Sequence, residues 1–259
     1  MQTKRIFLSR GLYIAVTLQL FAYFYPHMDT SMFFYEPLKY FGSADFLYFY
    51  LMPRELGLVH VLLPLVAVLP SATFAAEDAH MGFLNYQLYR SGEKKYMRLQ
   101  IQSALLGSVF ASLAGSMLYV AFIALASPMS GDHVLESWRQ IIKQSAYAPL
   151  LYANGWPIVL DSVFRFALAA AVWSMVGVGL TALTQNAGLG LVLTLAIAYQ
   201  SNAVLQMNPA LIYWSQRSLV AINIAYIDSL WANTIRQLIY FLIGITTALI
   251  GLKILMTRR

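Results

Sequence analysis

Six apolar stretches, near residues 11–26, 57–76, 98–125, 158–183, 187–206 and 236–256, dominate this sequence, and each is about long enough to cross a bilayer as a helix. Composition agrees with that reading: 59% hydrophobic and 11% charged residues leave too little charge to cover a soluble domain of 259 residues. The expectation is an all-α, polytopic membrane protein with six transmembrane helices, a single transmembrane domain over 1–259. Pro26 ends the first stretch, and Pro157 sits in the first turn of the fourth, where its missing N–H costs nothing. The Thr184–Asn186 link makes the fourth and fifth spans an antiparallel hairpin. Lys4, Arg5 and Arg10 precede the first apolar run, but no small-x-small cleavage site follows Phe21–Pro26, so the run is read as a retained span.

Charge sets the orientation. Lys4, Arg5, Arg10, Arg90, Lys94, Lys95, Arg98, Lys253, Arg258 and Arg259 fall on one set of loops, against only Glu77, Asp78 and Glu93, a balance of +7. The remaining residues carry a net −1, which completes the overall +6. Basic loops stay inside, so the N-terminus, the 77–97 loop and the C-terminus are expected in the cytoplasm. An even number of crossings is then required, and six satisfies it. The basic character is explained by topology and by contact with anionic membrane lipid, not by nucleic acid.

The outer side is aromatic. Residues 33–50 contain nine aromatics (Phe33, Phe34, Tyr35, Tyr40, Phe41, Phe46, Tyr48, Phe49 and Tyr50), a composition that favours headgroup depth. Residues 134–147 place Val134, Leu135, Trp138, Ile141 and Ile142 on one helical face, predicting an interfacial amphipathic helix. Residues 208–234 repeat the theme with Trp214, Tyr226 and Trp231. These segments read either as membrane anchors or as an outer gate or vestibule.

Chemistry-bearing motifs are missing. There is no G-x-x-x-x-G-K-[ST] loop; Ser91-Gly92-Glu93-Lys94 has neither its spacing nor its hydroxyl. Neither H-E-x-x-H nor G-x-S-x-G occurs, the chain lacks cysteine, and His27, His60, His80 and His133 are scattered. No catalytic residue and no metal site is assigned, and the chain is not expected to be an enzyme.

Within the spans, Asp161 and Arg165 stand four apart with the acid N-terminal, the favourable order for a helical ion pair. Structural neutralisation is the simpler account, and a proton or ion pathway is the other. Gly107, Ala111 and Gly115 repeat every fourth residue, with Ala104, Ser108, Ser112 and Ser116 beside them. Such small residues let helices approach closely in lipid, within one bundle or across a dimer.

The loop after the second span speaks most to function. Phe83, Leu84, Gln87 and Leu88 fall at helical spacing, and Tyr86, Tyr89 and Arg90 add large contact groups of the kind enriched where proteins dock. A surface helix lying on the membrane fits the same periodicity. Glu77, Gly82, the short helix Leu84–Leu88, Arg90 and the pair Lys95-Tyr96, in this order, resemble the type-2 ATP-binding-cassette exporter permeases of bacteria. The resemblance covers about 20 residues and extends to six spans with both ends inside. It implies a permease subunit in the bacterial inner membrane, bound through Glu77, Gly82, Phe83, Leu84, Tyr86, Gln87, Tyr89, Arg90, Lys95 and Tyr96 to a separate ATPase. Two ATPase subunits, holding ATP and Mg, would pair with this chain and a second permease, identical or homologous. This chain would itself hold no cofactor. The implied cargo is hydrophobic or peptide-like, with peptide or antibiotic export or self-immunity foremost. A non-transporting scaffold and an unrecognised intramembrane enzyme are the other classes compatible with the residues.

Overall fold

Proline, glycine and hydroxyl side chains decide where the apolar runs of this chain become helices and where they stop. The computed structural model describes residues 2–28, 30–42, 46–56, 58–127, 142–151, 155–208, 211–215 and 229–257. The helices are α1 (Gln2–Phe7), α2 (Arg10–Phe24), α3 (Ser31–Tyr35), α4 (Pro37–Gly42), α5 (Phe46–Leu56), α6 (Val59–Val68), α7 (Phe74–His80), α8 (Phe83–Ser91), α9 (Glu93–Ala126), α10 (Trp156–Thr184), α11 (Ala187–Met207) and α12 (Leu230–Thr257). No strand occurs among the described residues.

Four of these helices, α9, α10, α11 and α12, are long and apolar enough to cross a membrane. A fifth crossing is added if Phe46–Arg54 and Val59–Val68, which meet at 74°, are counted as one bent span. The first predicted span is the 15-residue α2 followed by a 3-10 turn over Tyr25–His27. At about 1.5 Å per residue α2 alone reaches only about 22 Å, short of the roughly 30 Å of hydrocarbon.

The second predicted span, 57–76, is not a continuous helix. It breaks between α6 and α7 at Leu69–Thr73, where Pro70 has no N–H to continue the ladder. Two freed carbonyls are satisfied by neighbours: Ser9 Oγ donates to Pro70 O at 3.0 Å and Thr181 Oγ1 to Ala72 O at 2.8 Å. The break is tied to α9 as well, where Ser71 Oγ donates to Ser103 O at 2.7 Å. Ser71 and Ala72 are buried in protein, which is the condition under which irregular backbone is tolerated among membrane helices. Ser9 also caps α2 by accepting from Leu12 N at 3.2 Å.

Small residues set the helix contacts. Gly107 lies against Pro70 and Ser71, Ala111 is fully buried, and a methyl group at Gly115 would sit 2.7 Å from the Gln19 amide oxygen. The Gly107–Ala111–Gly115 row therefore packs within this chain, against α2 and the α6–α7 break. The central α10 packs most extensively against α12. At their closest approach a Cβ on Gly251 would lie 2.7 Å from Gly179 Cα, and one on Gly179 would lie 2.5 Å from Thr247 O.

The aromatic segment over residues 33–50 splits. Phe34 and Tyr35 are exposed, whereas Phe41, Phe46, Phe49 and Tyr50 are buried in the main apolar core with Tyr23, Tyr119 and Phe166. Burial in the bundle thus takes several rings that composition assigned to headgroup depth. The amphipathic helix expected over 134–147 lies outside the described residues up to 141; beyond it, Ile142 and Tyr147 are buried. Of the 208–234 segment, Trp214 closes a short 3-10 turn, Trp231 is exposed on α12, and Tyr226 lies outside the described residues.

Candidate functional site

Two glycines shape the segment between α7 and α9. Gly82 (φ 73°) and Gly92 (φ 76°) adopt the left-handed region, and a Cβ at either would meet nothing within 4 Å. Glycine is required here by the backbone and not by crowding. The chain therefore turns sharply twice, and α8 is held as a separate nine-residue helix between α7 and the long α9.

Leu84 fixes that helix. It is 0% exposed and packs with Ala75, Tyr96, Leu252 and Leu255. The opposite face is open: Met81, Phe83, Tyr86 and Arg90 are exposed, and Tyr89 is 94% exposed. Gln87 is half-buried and Lys95 is exposed. The residues singled out from sequence therefore divide. Phe83, Tyr86, Tyr89, Arg90 and Lys95 are available to a partner, whereas Leu84 and Tyr96, expected among the contacts, are core residues of this chain. An amphipathic helix turns its most apolar stripe inward, and Leu84 belongs to that stripe.

The anchor sequence reasoning missed is Asp78. Its buried carboxylate accepts from Arg5 Nη1 at 2.7 Å, Gln100 Nε2 at 2.9 Å and Tyr96 Oη at 3.2 Å. Glu77, beside it, pairs with Arg5 Nη2 at 3.0 Å and accepts from Thr73 Oγ1 at 2.6 Å. The Arg5 guanidinium also lies 4.1 Å from the Phe74 ring centroid. One arginine thus ties α1 to α7, and Asp78 ties both to α9. The signal was present in adjacent acids near a basic N-terminus, but sequence does not say which acid is buried. Open clefts of about 610 and 370 Å³ flank α7, and both include Glu77, Ala187 and Gly188. The α10–α11 link therefore lies at this same end of the bundle. So does the last turn of α12, through Leu252 and Leu255.

Asp161 and Arg165 meet at the other end. Arg165 Nε donates to Asp161 Oδ2 at 2.7 Å, its Nη1 to Thr234 Oγ1 at 3.0 Å and its Nη2 to Leu230 O at 3.4 Å. Tyr147 Oη donates to the same Asp161 oxygen at 3.0 Å. Burial, and then the Asp161 charge, hold the Tyr147 phenol above its ordinary pKa. The pair joins α10 to α12 and to the 142–151 segment.

Arg54, one of the bases outside the cytoplasmic set in the charge count, is 1% exposed. It donates to Tyr23 Oη at 2.9 Å and to Ser162 Oγ, and its guanidinium lies 4.9 Å from the Tyr50 ring centroid. The aromatic run ahead of it, with Tyr50 one helical turn away, was the only hint. Among the described residues no group of three His, Cys, Asp or Glu is arranged to hold a metal.

Comparison of the chain with protein-family models, with curated proteins and with solved structures finds no match.

Proposed function

We propose that the chain is the membrane-spanning permease subunit of a bacterial inner-membrane exporter, driven by a separate ATP-binding-cassette ATPase that docks on α8. The observation that carries this reading is the construction of α8. It is a short helix locked from behind by Leu84, held beside an Asp78-centred hydrogen-bond hub, with Phe83, Tyr86, Tyr89 and Arg90 exposed on it and Met81 exposed just ahead of it. Rigid aromatics and an arginine on a short helix suit insertion into a partner's groove. Two ATPases binding ATP and Mg would pair with two permease subunits. Closure of the ATPases would shift the spans between inward and outward states, a switch driven by differential nucleotide binding. A hydrophobic or peptide-like cargo, with peptide export or self-immunity first, is the class retained.

In this reading the crossings are six: α2 with its following turn, the broken α6–α7 pair, and α9 to α12. The sharing of one end by Arg5, α8 and the last turn of α12 supports an even number. Reporter fusions at residue 92 and at the C-terminus are expected to read cytoplasm, and fusions near 133 and 215 to read outside. An outside signal at 92 overturns the orientation.

The docking role is tested by co-purification of an ATPase with wild-type, Tyr86→Ala and Tyr89→Ala chains. Loss of an interface anchor costs about 2 kcal/mol, or roughly 30-fold in affinity. Both positions are exposed, so membrane abundance should stay at the wild-type level while ATPase recovery and stimulation fall. Equal recovery and equal stimulation from all three chains would rule against docking on α8 and favour a helix resting on the membrane surface.

A further inference from the structure

A cavity of about 170 Å³ lies between α10, α11 and α12, with Val172, Trp173 and Val176 on one wall, Ile197 and Leu205 on another, and Ile243 on the third. Its size is close to the roughly 150 Å³ of an apolar cavity that stays dry and admits benzene. The polar side chains in its lining spend their donors on carbonyls of the protein. Ser201 Oγ donates to Ala198 O at 3.1 Å, Gln237 Nε2 donates to Arg165 O at 3.4 Å, and Tyr240 Oη donates to Trp214 O at 2.7 Å. A peptide would bury unmatched amides against such walls, and a water molecule needs two or more polar partners. Hydrocarbon suits them.

The surroundings identify which hydrocarbon. Two of the three walls belong to α11 and α12, the least buried of the membrane-length helices, so the recess faces the bilayer. At its rim the Arg236 guanidinium lies 5.3 Å from the Tyr213 ring and 5.9 Å from the Trp214 ring. Tryptophan, tyrosine and arginine together mark the headgroup boundary, which sets the cavity just beneath it, at acyl-chain depth. We infer that the cavity holds part of one acyl chain of a bilayer phospholipid. The inference is independent of the ATPase-driven reading and requires only that α10, α11 and α12 lie in a membrane.

The full chain, reconstituted in phosphatidylcholine vesicles with a trace of phospholipid bearing a diazirine mid-way along one chain, provides the test. After illumination, Trp173 and Val176 should carry label, as should the exposed, outward-facing Leu249. Ser201→Phe, on the loosely packed α11, fills the space. It should reduce labelling of Trp173 and Val176 several-fold and leave Leu249 unchanged; Leu205→Phe gives the same comparison if Ser201→Phe is poorly recovered. Labelling of Leu249 without Trp173 and Val176, or labelling there that filling does not change, overturns the inference.

Discussion

Asp78→Ala should destabilise the chain by about 3 kcal/mol, the low end of what breaking a buried ion pair costs. The substitution removes the shared acceptor of Arg5, Tyr96 and Gln100, and the last two are buried. A buried donor left without its acceptor costs about 1–3 kcal/mol. The Arg5 contribution is smaller, because its side chain is 31% exposed and it keeps Glu77 at 3.0 Å. Asp78→Asn retains an acceptor but loses the charge, and should fall between wild type and Ala. Unfolding of the detergent-solubilised chain measures this directly, with the exposed Glu93→Ala as reference, expected within about 0.5 kcal/mol of wild type. Equal stability of Asp78→Ala and Glu93→Ala would remove the hub from the account.

The second large effect is expected at the crossing of α10 and α12. Gly251→Leu drives a side chain into Gly179 backbone, which a Cβ alone would already approach to 2.7 Å at Cα. Overpacking costs about 1–3 kcal/mol where side chains can yield. Here the obstacle is main chain, so the loss should reach or exceed about 3 kcal/mol, and Gly179→Leu should behave alike. Leu249→Ala, on the lipid-exposed part of the same helix, should change little. The check is the midpoint of unfolding in a denaturing detergent, followed by tryptophan fluorescence. A Gly251→Leu midpoint matching that of Leu249→Ala would mean that the two helices do not meet there.

What was legible in the sequence follows from what hydropathy averages. The long helices α9 to α12 announce themselves because 20 or so apolar residues leave one solution in lipid. Pro157 marks a helix start, and the short Thr184–Asn186 link is where α10 gives way to α11; the cap that begins α11, Asn186 Oδ1 accepting from Leu189 N at 3.0 Å, was not read from sequence. The break at Leu69–Thr73 was hidden, because a window of 20 residues sees only mean apolarity and not whether Pro70 continues the ladder. Burial within the bundle was hidden for a related reason. Arg54 reads as a loop base unless the rings of Tyr23, Tyr50 and Phe166 are already folded around it. At α8, periodicity located the helix but not which stripe faces outward. Leu84 and Tyr96 share one buried cluster although 12 residues separate them, and only the turn at Gly92 brings them together.

The interrupted backbone between α6 and α7 also determines where force can travel. A continuous helix behaves as a rod, and a push at one end arrives at the other. At Leu69–Thr73 that rod is interrupted, and the junction is held by hydrogen bonds from Ser9, Ser71 and Thr181, by the backbone bond from Ala72 N to Val68 O and by close packing on Gly107. From α8 the chain runs through Gly92 directly into the uninterrupted α9, and the Asp78 hydrogen bonds join α7 to α1 and α9. The long α9 is thus an unbroken rod leading away from α8, whereas α6 reaches α7 only through a joint in which side-chain hydroxyls take part.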